Sequence, residues 1–324
     1  MRALVTGAAG FAGSHLCELL LSRQEEVYGL VVPGGGQENL EAIRAHAALS
    51  GRLHVREVDI LDAEGLAATV ADIQPERVYH LAAFPSVRQS LENPMDTFLV
   101  NTVGTRNLLE GVRTSGVRSR VLVVSSAEAY GDSANLGRPL REDDPLLPVS
   151  PYGASKAAAE AVAIRYLREF SVDIVRVRPF VHTGARQAPQ FVFSNWANQL
   201  AQAQAGRTSA SIQVGNLAVW RDVSDVRDVA TGYVLALERG RAGSVFNVCS
   251  GRSYSLQDIL QRLIRLSRVE IEVIADSERL RPQDLKVLEG APDNLRNVTG
   301  WKATIPLDQT LSDLLAYWCS RLPD

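Results

Sequence analysis

The sequence lacks the features typical of secreted, membrane and nucleic-acid-binding proteins. It has only three cysteines in 324 residues, Cys17, Cys249 and Cys319, with no Cys-x-x-Cys motif, so we predict buried, reduced thiols in the cytosol and no metal site. No apolar run approaches the roughly 18 residues of a membrane span, and the apolar start at Ala3 is broken at Thr6 rather than continuing as a signal-peptide core. With 34 Lys and Arg against 37 Asp and Glu and no long run of either sign, binding to nucleic acid or to an anionic membrane is not expected.

The chain does contain, near its start, a glycine-rich turn between a strand and a helix. Residues 2–6 are predicted as a short strand, and leucines follow at helical spacing from Leu16 onwards. The turn Gly7-x-x-Gly10-x-x-Gly13 permits a tight bend, lets a pyrophosphate approach the backbone and lets helix pack closely on strand. A plain glycine-rich turn needs no such flanking elements, so we predict the first half of a βαβ unit that binds a dinucleotide.

The adenosine end of this predicted site shows no preference for one cofactor. The second strand, 27–32, is followed by Pro-Gly-Gly-Gly at 33–36, with neither a carboxylate for the ribose hydroxyls nor an arginine for a 2′-phosphate. The missing carboxylate removes a barrier to NADP without selecting for it. Asp59, at the end of the third strand 53–58, can bond the adenine amino group or cap the helix that starts near Asp62, and the sequence does not separate the two.

Two more predicted strands end in residues that suit the rest of a dinucleotide. The fourth strand, 77–83, ends in Ala82 and Ala83, whose small side chains leave room for a cofactor. The fifth, 121–124, leads into Ser126 and Glu128, which in a doubly wound sheet emerge beside the nicotinamide. Helix capping and turn formation also use such residues.

A tyrosine and a lysine at helical spacing complete the candidate site. Tyr152 lies in the first turn of a helix that starts at Pro151, and Lys156 follows one turn later on the same face. A phenol has an ordinary pKa of about 10, and a nearby ammonium favours the phenolate, so the pair predicts a proton-transfer group with a lowered pKa. Alone, such a pair is more often a surface contact.

Four motifs in this order resemble the extended short-chain dehydrogenases/reductases that act on nucleotide sugars: the glycine turn, Leu81-Ala82-Ala83, Ser126 four residues before Tyr130-Gly131, and Tyr152-x-x-x-Lys156. The resemblance implies NAD(P)(H) as cofactor and Ser126, Glu128, Tyr152 and Lys156 as catalytic residues. It assigns cofactor contacts to Gly7, Gly10, Phe11, Ala12, Gly13, Asp59, Ile60, Leu81, Ala82, Ala83, Tyr152 and Lys156.

The second half of the chain resembles the GDP-sugar branch of that family, which implies a GDP-sugar as substrate. Arg221 and Arg281 are the candidates to grip phosphate oxygens through a planar fork, with Asp284 on the ribose, although ordinary ion pairs would also explain them. The chain departs from the family pattern at His182, in a segment where relatives carry an asparagine, and at Arg186, where a glycine is commoner. The predicted substrate contacts are Ser86, Ser126, Arg186, Val214, Arg221, Arg281 and Asp284.

Two reactions of the family fit these residues. In net reduction of a 4-keto sugar, Tyr152 gives a proton to the oxygen at C4, Ser126 bonds that oxygen, and Lys156 lowers the pKa of Tyr152 and binds the nicotinamide ribose. In a 4,6-dehydratase, Glu128 takes the C5 proton and assists loss of water from C6. Ala127 has no hydroxyl or acid to share that work, so reduction is preferred. Dehydration, 4-epimerisation and a non-enzymatic cofactor-binding role remain as alternatives.

The predicted fold is α/β: a Rossmann-type doubly wound parallel sheet in residues 1–180, joined by 222–250, and a smaller α/β nucleotide-sugar-binding domain in 181–324. The helix that carries Tyr152 is apolar around more of its circumference than one sheet contact needs. With the helix near 105–112 it predicts a four-helix contact in a homodimer, unless that surface is buried within one subunit.

Overall fold

The computed structural model describes residues 1–46, 51–279 and 284–322. Its strands are β1 (Arg2–Thr6), β2 (Glu26–Val31), β3 (Leu53–Glu57), β4 (Arg77–His80), β5 (Arg120–Val124), β6 (Asp173–Pro179), β7 (Val181–Thr183), β8 (Ser211–Val214), β9 (Trp220–Asp225), β10 (Val245–Val248), β11 (Ser253–Ser255), β12 (Glu272–Ala275) and β13 (Val287–Leu288).

The helices alternate with these strands through most of the described chain. They are α1 (Phe11–Ser22), α2 (Glu38–Ala45), α3 (Ala63–Ile73), α4 (Val87–Glu92), α5 (Pro94–Phe98), α6 (Gly104–Thr114), α7 (Pro151–Phe170), α8 (Val192–Gln204), α9 (Val226–Arg239), α10 (Leu256–Ser267), α11 (Asp293–Thr299) and α12 (Leu307–Ser320). A π-helical turn, Leu99–Val103, joins α5 to α6, and short 3₁₀ turns lie at Ala127–Ala129, Asp132–Leu136 and Ser277–Arg279.

The large sheet is parallel throughout and doubly wound. Within the described residues it has seven strands in the order β10-β6-β5-β4-β1-β2-β3. The apolar strands bury side chains on both faces, where helices cover them, as expected for a parallel sheet. The predicted fold class is therefore confirmed, and the carboxyl ends of β1, β4 and β5 meet at one edge.

A smaller unit packs its own core beside this sheet. β7, β9, β11 and β13 form one small sheet and β8 pairs with β12. Their apolar residues cluster with those of α8, α10 and α12.

In two places a segment lies in a different unit from the one predicted from the sequence. β9, whose residues 222–225 fall in the segment predicted to join the large unit, lies in the small sheet, while α9 and β10 join the large unit. Leu295 and Trp301, expected in the smaller unit, are buried in the large core. Apolar composition alone does not say which core a segment enters.

Surface and cysteine features complete the fold. Cys17 and Cys249 are buried, whereas Cys319, near the end of the amphipathic α12, is only partly buried, which corrects the prediction for that thiol. None of the helices that the structure describes is both long and apolar enough to cross a membrane. The described His, Cys, Asp and Glu residues form no group that could hold a metal ion.

Candidate active site

The glycine turn between β1 and α1 forms a cradle of bare backbone. Gly7 has a φ of +70°, and a Cβ there would come within 2.9 Å of the backbone of Ala82, while a Cβ on Gly13 would collide with the carbonyl oxygen of Gly7. No described side chain caps the first turn of α1, which begins after Gly10. Backbone N–H groups at a helix N-terminus attract phosphate, so this turn fits the pyrophosphate of a dinucleotide.

A buried chain of hydrogen bonds fixes the neighbouring end of β4. Thr6 Oγ1 accepts from the backbone N–H of Ala82 at 3.0 Å and lies 2.8 Å from Nδ1 of His80. His80 Nε2 lies 2.8 Å from Oγ1 of Thr105, which donates to the carbonyl of Asn101 at 2.6 Å. Thr105 therefore accepts from Nε2–H, and Nδ1 accepts from Thr6. Burial, helped by the charge of Lys156, lowers the pKa of His80 to about 3 and keeps the ring neutral.

The catalytic candidates Ser126 and Tyr152 are brought together at the carboxyl end of β5. The Ser126 hydroxyl lies close enough to the Tyr152 phenol to lower its pKa, and it accepts the backbone N–H of Glu128 at 3.2 Å. Gly153 has no side chain that would keep α7 away from the Glu128 carbonyl. The start of α7 is also tied to α4, because the backbone N–H of Tyr152 donates to Ser90 Oγ at 3.2 Å.

The Lys156 ammonium points at the same strand end. It donates to the carbonyl oxygen of Val124, the last residue of β5, at 2.8 Å, and the residue is only 5% exposed. Burial lowers its pKa to about 8, against the opposing effect of the Glu160 carboxylate. Lys156 is thus charged at neutral pH and close to losing its proton.

The pKa of Tyr152 corrects the expectation from the sequence. Burial raises this pKa to about 12, the nearby Ser126 hydroxyl lowers it in part, and the Glu128 carboxylate raises it further. The sequence predicted a lowered value because it shows the lysine one turn away but not the burial of the phenol. At neutral pH the phenol holds its proton.

Asn101 in the π-helical turn is a site-supporting residue that sequence reasoning missed. Its side chain accepts from the backbone N–H of Phe84 at 2.7 Å and donates to Ser155 Oγ at 2.8 Å. Ser155 in turn donates to the carbonyl of Tyr152 at 2.8 Å. Asn101 therefore links the loop after β4 to the first turn of α7. Its position in a π-bulge, a feature common at functional sites, is not visible in the sequence.

Three other predicted residues make local contacts. Asp59 Oδ1 accepts the backbone N–H of Leu61 at 2.9 Å and so stabilises a turn. The cap of α3 is Asp62 and not Asp59, and the adenine contact of Asp59 stays a prediction. Ile60 packs over Gly104. Ser86 caps α4 by accepting from Gln89 N–H at 3.2 Å, a bond that the Ser-x-x-Gln pattern could have indicated.

On the substrate side, Arg221 and Asp284 form an ion pair. Their Nη2 and Oδ1 atoms are 2.7 Å apart, and Arg221 also donates to the carbonyl of Leu285 at 2.8 Å. Asp284 lines a cleft of about 320 Å³ together with Asp132, Asn135, Val149, Leu285 and Lys286. Val149 precedes α7, so this cleft opens beside the start of the helix that carries Tyr152.

The remaining substrate candidates are not gathered there. Arg186 pairs with Glu18 of α1 at 2.7 Å. Val214 is 2% exposed in the core of the smaller unit, so only its backbone is available for binding. Arg281 lies outside the described residues. His182 stacks on Phe11 of the glycine turn, with ring centroids 5.7 Å apart, which sets an imidazole against the cofactor cradle.

The known proteins that this chain resembles are enzymes named for nucleotide sugars. Residues 4–314 match the family model described as GDP-mannose 4,6 dehydratase. The chain is 31% identical to the GDP-6-deoxy-D-mannose reductase of Pseudomonas aeruginosa, over 99% of this chain and 98% of that protein. It is 32% identical to the UDP-glucose 4-epimerase of Mycolicibacterium smegmatis, over 99% of each. The solved structure of RMD from Pseudomonas aeruginosa complexed with NADPH superposes with a TM-score of 0.85 at 30% identity, covering 99% of both chains.

Proposed function

Because the chain belongs to the GDP-mannose 4,6-dehydratase family of extended short-chain dehydrogenases/reductases, we propose that it reduces the C4 keto group of a GDP-4-keto-6-deoxyhexose, converting GDP-4-keto-6-deoxy-D-mannose to GDP-D-rhamnose. The family shows the coarser part of this statement: the protein is an NAD(P)-dependent enzyme that acts on nucleotide sugars.

The proposal rests on the placement of Ser126, Tyr152 and Lys156 at the carboxyl end of β5, where the Ser126 hydroxyl acts on the Tyr152 phenol and Lys156 donates to Val124. A keto oxygen placed against the two hydroxyls receives the phenol proton from Tyr152 and a hydrogen bond from Ser126. The Lys156 ammonium stabilises the phenolate that remains. Bound NAD(P)H supplies the hydride to the same carbon, while the residues of this chain orient the carbonyl and provide the acid.

Reduction of a keto oxygen needs Tyr152 as a proton donor, whereas oxidation of a C4 hydroxyl needs the phenolate as a base. With its pKa raised to about 12, mainly by burial, the phenol is protonated at neutral pH and can serve as that donor.

The cleft beside α7 supports a nucleoside diphosphate as the rest of the substrate. Asp284 offers carboxylate oxygens to ribose hydroxyls, and the Lys286 ammonium, which also lines the cleft, offers charge to phosphate. Arg221, which pairs with Asp284, is the second candidate for a phosphate contact. Arg221 is held in place by Asp284 and by backbone carbonyls, so binding costs it little side-chain freedom.

The position of Glu128 keeps 4,6-dehydration as the second candidate function. Its carboxylate acts on the pKa of Tyr152 and therefore lies near the reacting centre, where a dehydratase needs a base for the C5 proton. Ala127, buried beside it, has no group to assist the loss of water.

One assay separates the two reactions. Purified protein is incubated with GDP-4-keto-6-deoxymannose and either NADH or NADPH, and loss of the reduced nicotinamide is followed by absorbance, with Tyr152→Phe as control. Stoichiometric oxidation that the variant lacks supports the reductase. Conversion of GDP-mannose without net oxidation of NAD(P)H, since dehydratases and epimerases recycle their cofactor, contradicts it.

We further propose a homodimer through the surface beside α7. An apolar stripe at four-residue spacing is exposed along α4, α5 and the π-helical turn: Leu91 50%, Met95 70%, Leu99 41% and Val103 39%. Part of the apolar surface of α7 itself is covered within the chain, since Ala159, Ala163 and Tyr166 are buried. Light scattering at micromolar concentration tests the proposal, and a monomer would contradict it.

A further inference from the structure

We infer that Glu38 supplies the carboxylate missing from the end of β2 and makes the adenosine ribose site select NAD(H) over NADP(H). The sequence left this choice open because residues 33–36, which follow the second strand, carry no charged side chain. The structure brings one back from the first residue of α2.

The Glu38 side chain folds over the glycine turn that follows β2. A Cβ added to Gly36 would come within 2.5 Å of Oε2 and 3.0 Å of Oε1 of Glu38, so the carboxylate occupies the space beside that glycine. Gly36 thus permits the approach of a carboxylate to the segment just beyond the second strand, the segment from which Rossmann folds take the acid that accepts the ribose hydroxyls.

The same segment is fastened to the dinucleotide cradle. The side chain of Asn39, next to Glu38, donates to the carbonyl oxygen of Ala9 at 3.0 Å, and Ala8 N–H donates to the carbonyl of Leu30 in β2 at 3.2 Å. The β2–α2 connection and the turn that receives the pyrophosphate are therefore held together. The ribose of a dinucleotide bound at this turn therefore extends toward the segment that carries Glu38.

The charges around this position oppose a phosphorylated ribose. Arg44 of α2 donates through Nη2 to Gln37 Oε1 at 2.9 Å, and Gln37 Nε2 lies 3.4 Å from a carboxylate oxygen of Glu57 at the end of β3. Arg44 is thus held by the Gln37 amide, which itself donates to the Glu57 carboxylate. A 2′-phosphate carries close to two negative charges and is repelled by Glu38 and Glu57, whereas a 2′-hydroxyl donates to a carboxylate in a charge-assisted hydrogen bond.

Equilibrium binding without sugar tests the inference, and it is independent of the reaction catalysed. The purified protein is titrated with NADH and with NADPH by fluorescence, alongside Glu38→Gln and the control Glu41→Gln, which removes the same charge from the first turn of the same helix. Both glutamates are exposed, so both variants keep the fold. We expect wild-type protein to bind NADH roughly tenfold or more tighter than NADPH, the scale of one charge-assisted hydrogen bond.

Glu38→Gln should remove most of that ratio by weakening NADH and strengthening NADPH, while Glu41→Gln leaves it unchanged. Equal or tighter binding of NADPH by the wild-type protein, binding of neither cofactor, or equal shifts in the two variants would overturn the inference. Failure of the reductase assay together with a Glu38-dependent NADH preference would reject the proposed reaction alone.

Discussion

His80 should make the protein's stability fall in mild acid, and a single substitution should remove a defined part of that fall. The folded ring is buried with a pKa of about 3, against an ordinary value of 6.5. Below pH 6.5 His80 binds a proton in the unfolded chain but stays neutral in the folded chain. The loss of stability therefore begins near pH 6.5 and grows until the folded ring titrates near pH 3.

The magnitude follows from the two pKa values. One pKa unit corresponds to about 1.4 kcal/mol, so the shift from 6.5 costs about 2 kcal/mol of stability between pH 7 and pH 5 and about 5 kcal/mol in full. With an unfolding entropy of roughly 2.1 cal/mol/K per residue, the first of these losses lowers the midpoint of thermal unfolding by about 3 °C in a chain of 324 residues.

The substitution His80→Gln keeps a donor and an acceptor at this position but does not titrate. Scanning calorimetry of wild type and variant at pH 7 and pH 5 should show a pH-induced drop in midpoint that is about 3 °C smaller in the variant. Other groups that titrate over this range are common to both proteins and cancel.

Thr105→Val serves as the matched control, because it removes the acceptor for Nε2–H while leaving the imidazole in place. It should lower the midpoint at both pH values and keep the wild-type drop. An equal drop in wild type and His80→Gln would refute a buried, neutral His80.

Three further outcomes concern the site itself. Tyr152→Phe should lower turnover by roughly a hundredfold or more with cofactor affinity unchanged in a binding titration; full activity would remove the phenol from the mechanism. The value of kcat/KM should fall above pH 8, because the Lys156 pKa is lowered to about 8 and the ammonium loses its proton there. Lys156→Arg should move this alkaline fall in kcat/KM to higher pH. If the fall stays at the same pH in the variant, it belongs to another group. Gly13→Ala should lower the free energy of unfolding by about 1–3 kcal/mol and weaken dinucleotide binding, since the new Cβ meets the Gly7 carbonyl. The control Gly51→Ala, where a Cβ meets nothing, should change neither quantity. Equal effects in the two variants would mean that the cradle tolerates a side chain.

Local patterns in the sequence were sufficient for the large sheet and the cofactor turn. The strand–glycine–helix order at Gly7 to Gly13 and the placement of Tyr152 and Lys156 in one helix depend on neighbours within a few residues, and the structure has them as predicted. Ser126 could be assigned to the same strand edge because the carboxyl ends of parallel strands meet there.

The features that sequence reasoning missed depend on distant contacts. Arg221 and Asp284 are 63 positions apart, and nothing in either segment indicates that they pair. The raised pKa of Tyr152 comes from burial, which only the assembled fold creates. The Glu38 carboxylate is a local exception: it belongs to the first residue of α2, and only the three-dimensional path of the turn shows that it folds back beside Gly36.

The return of late segments to the large core has a consequence for how the protein is made. Trp301, more than a hundred positions beyond β6, is buried against helix α9, where its indole N–H donates to the carbonyl of Asp228 at 2.9 Å. During synthesis the nucleotide-binding half cannot complete its packing until that tryptophan has left the ribosome exit tunnel. Part of this apolar core thus stays uncovered from the synthesis of β6 until Trp301 emerges, so the large unit completes its packing only after most of the smaller unit has been made.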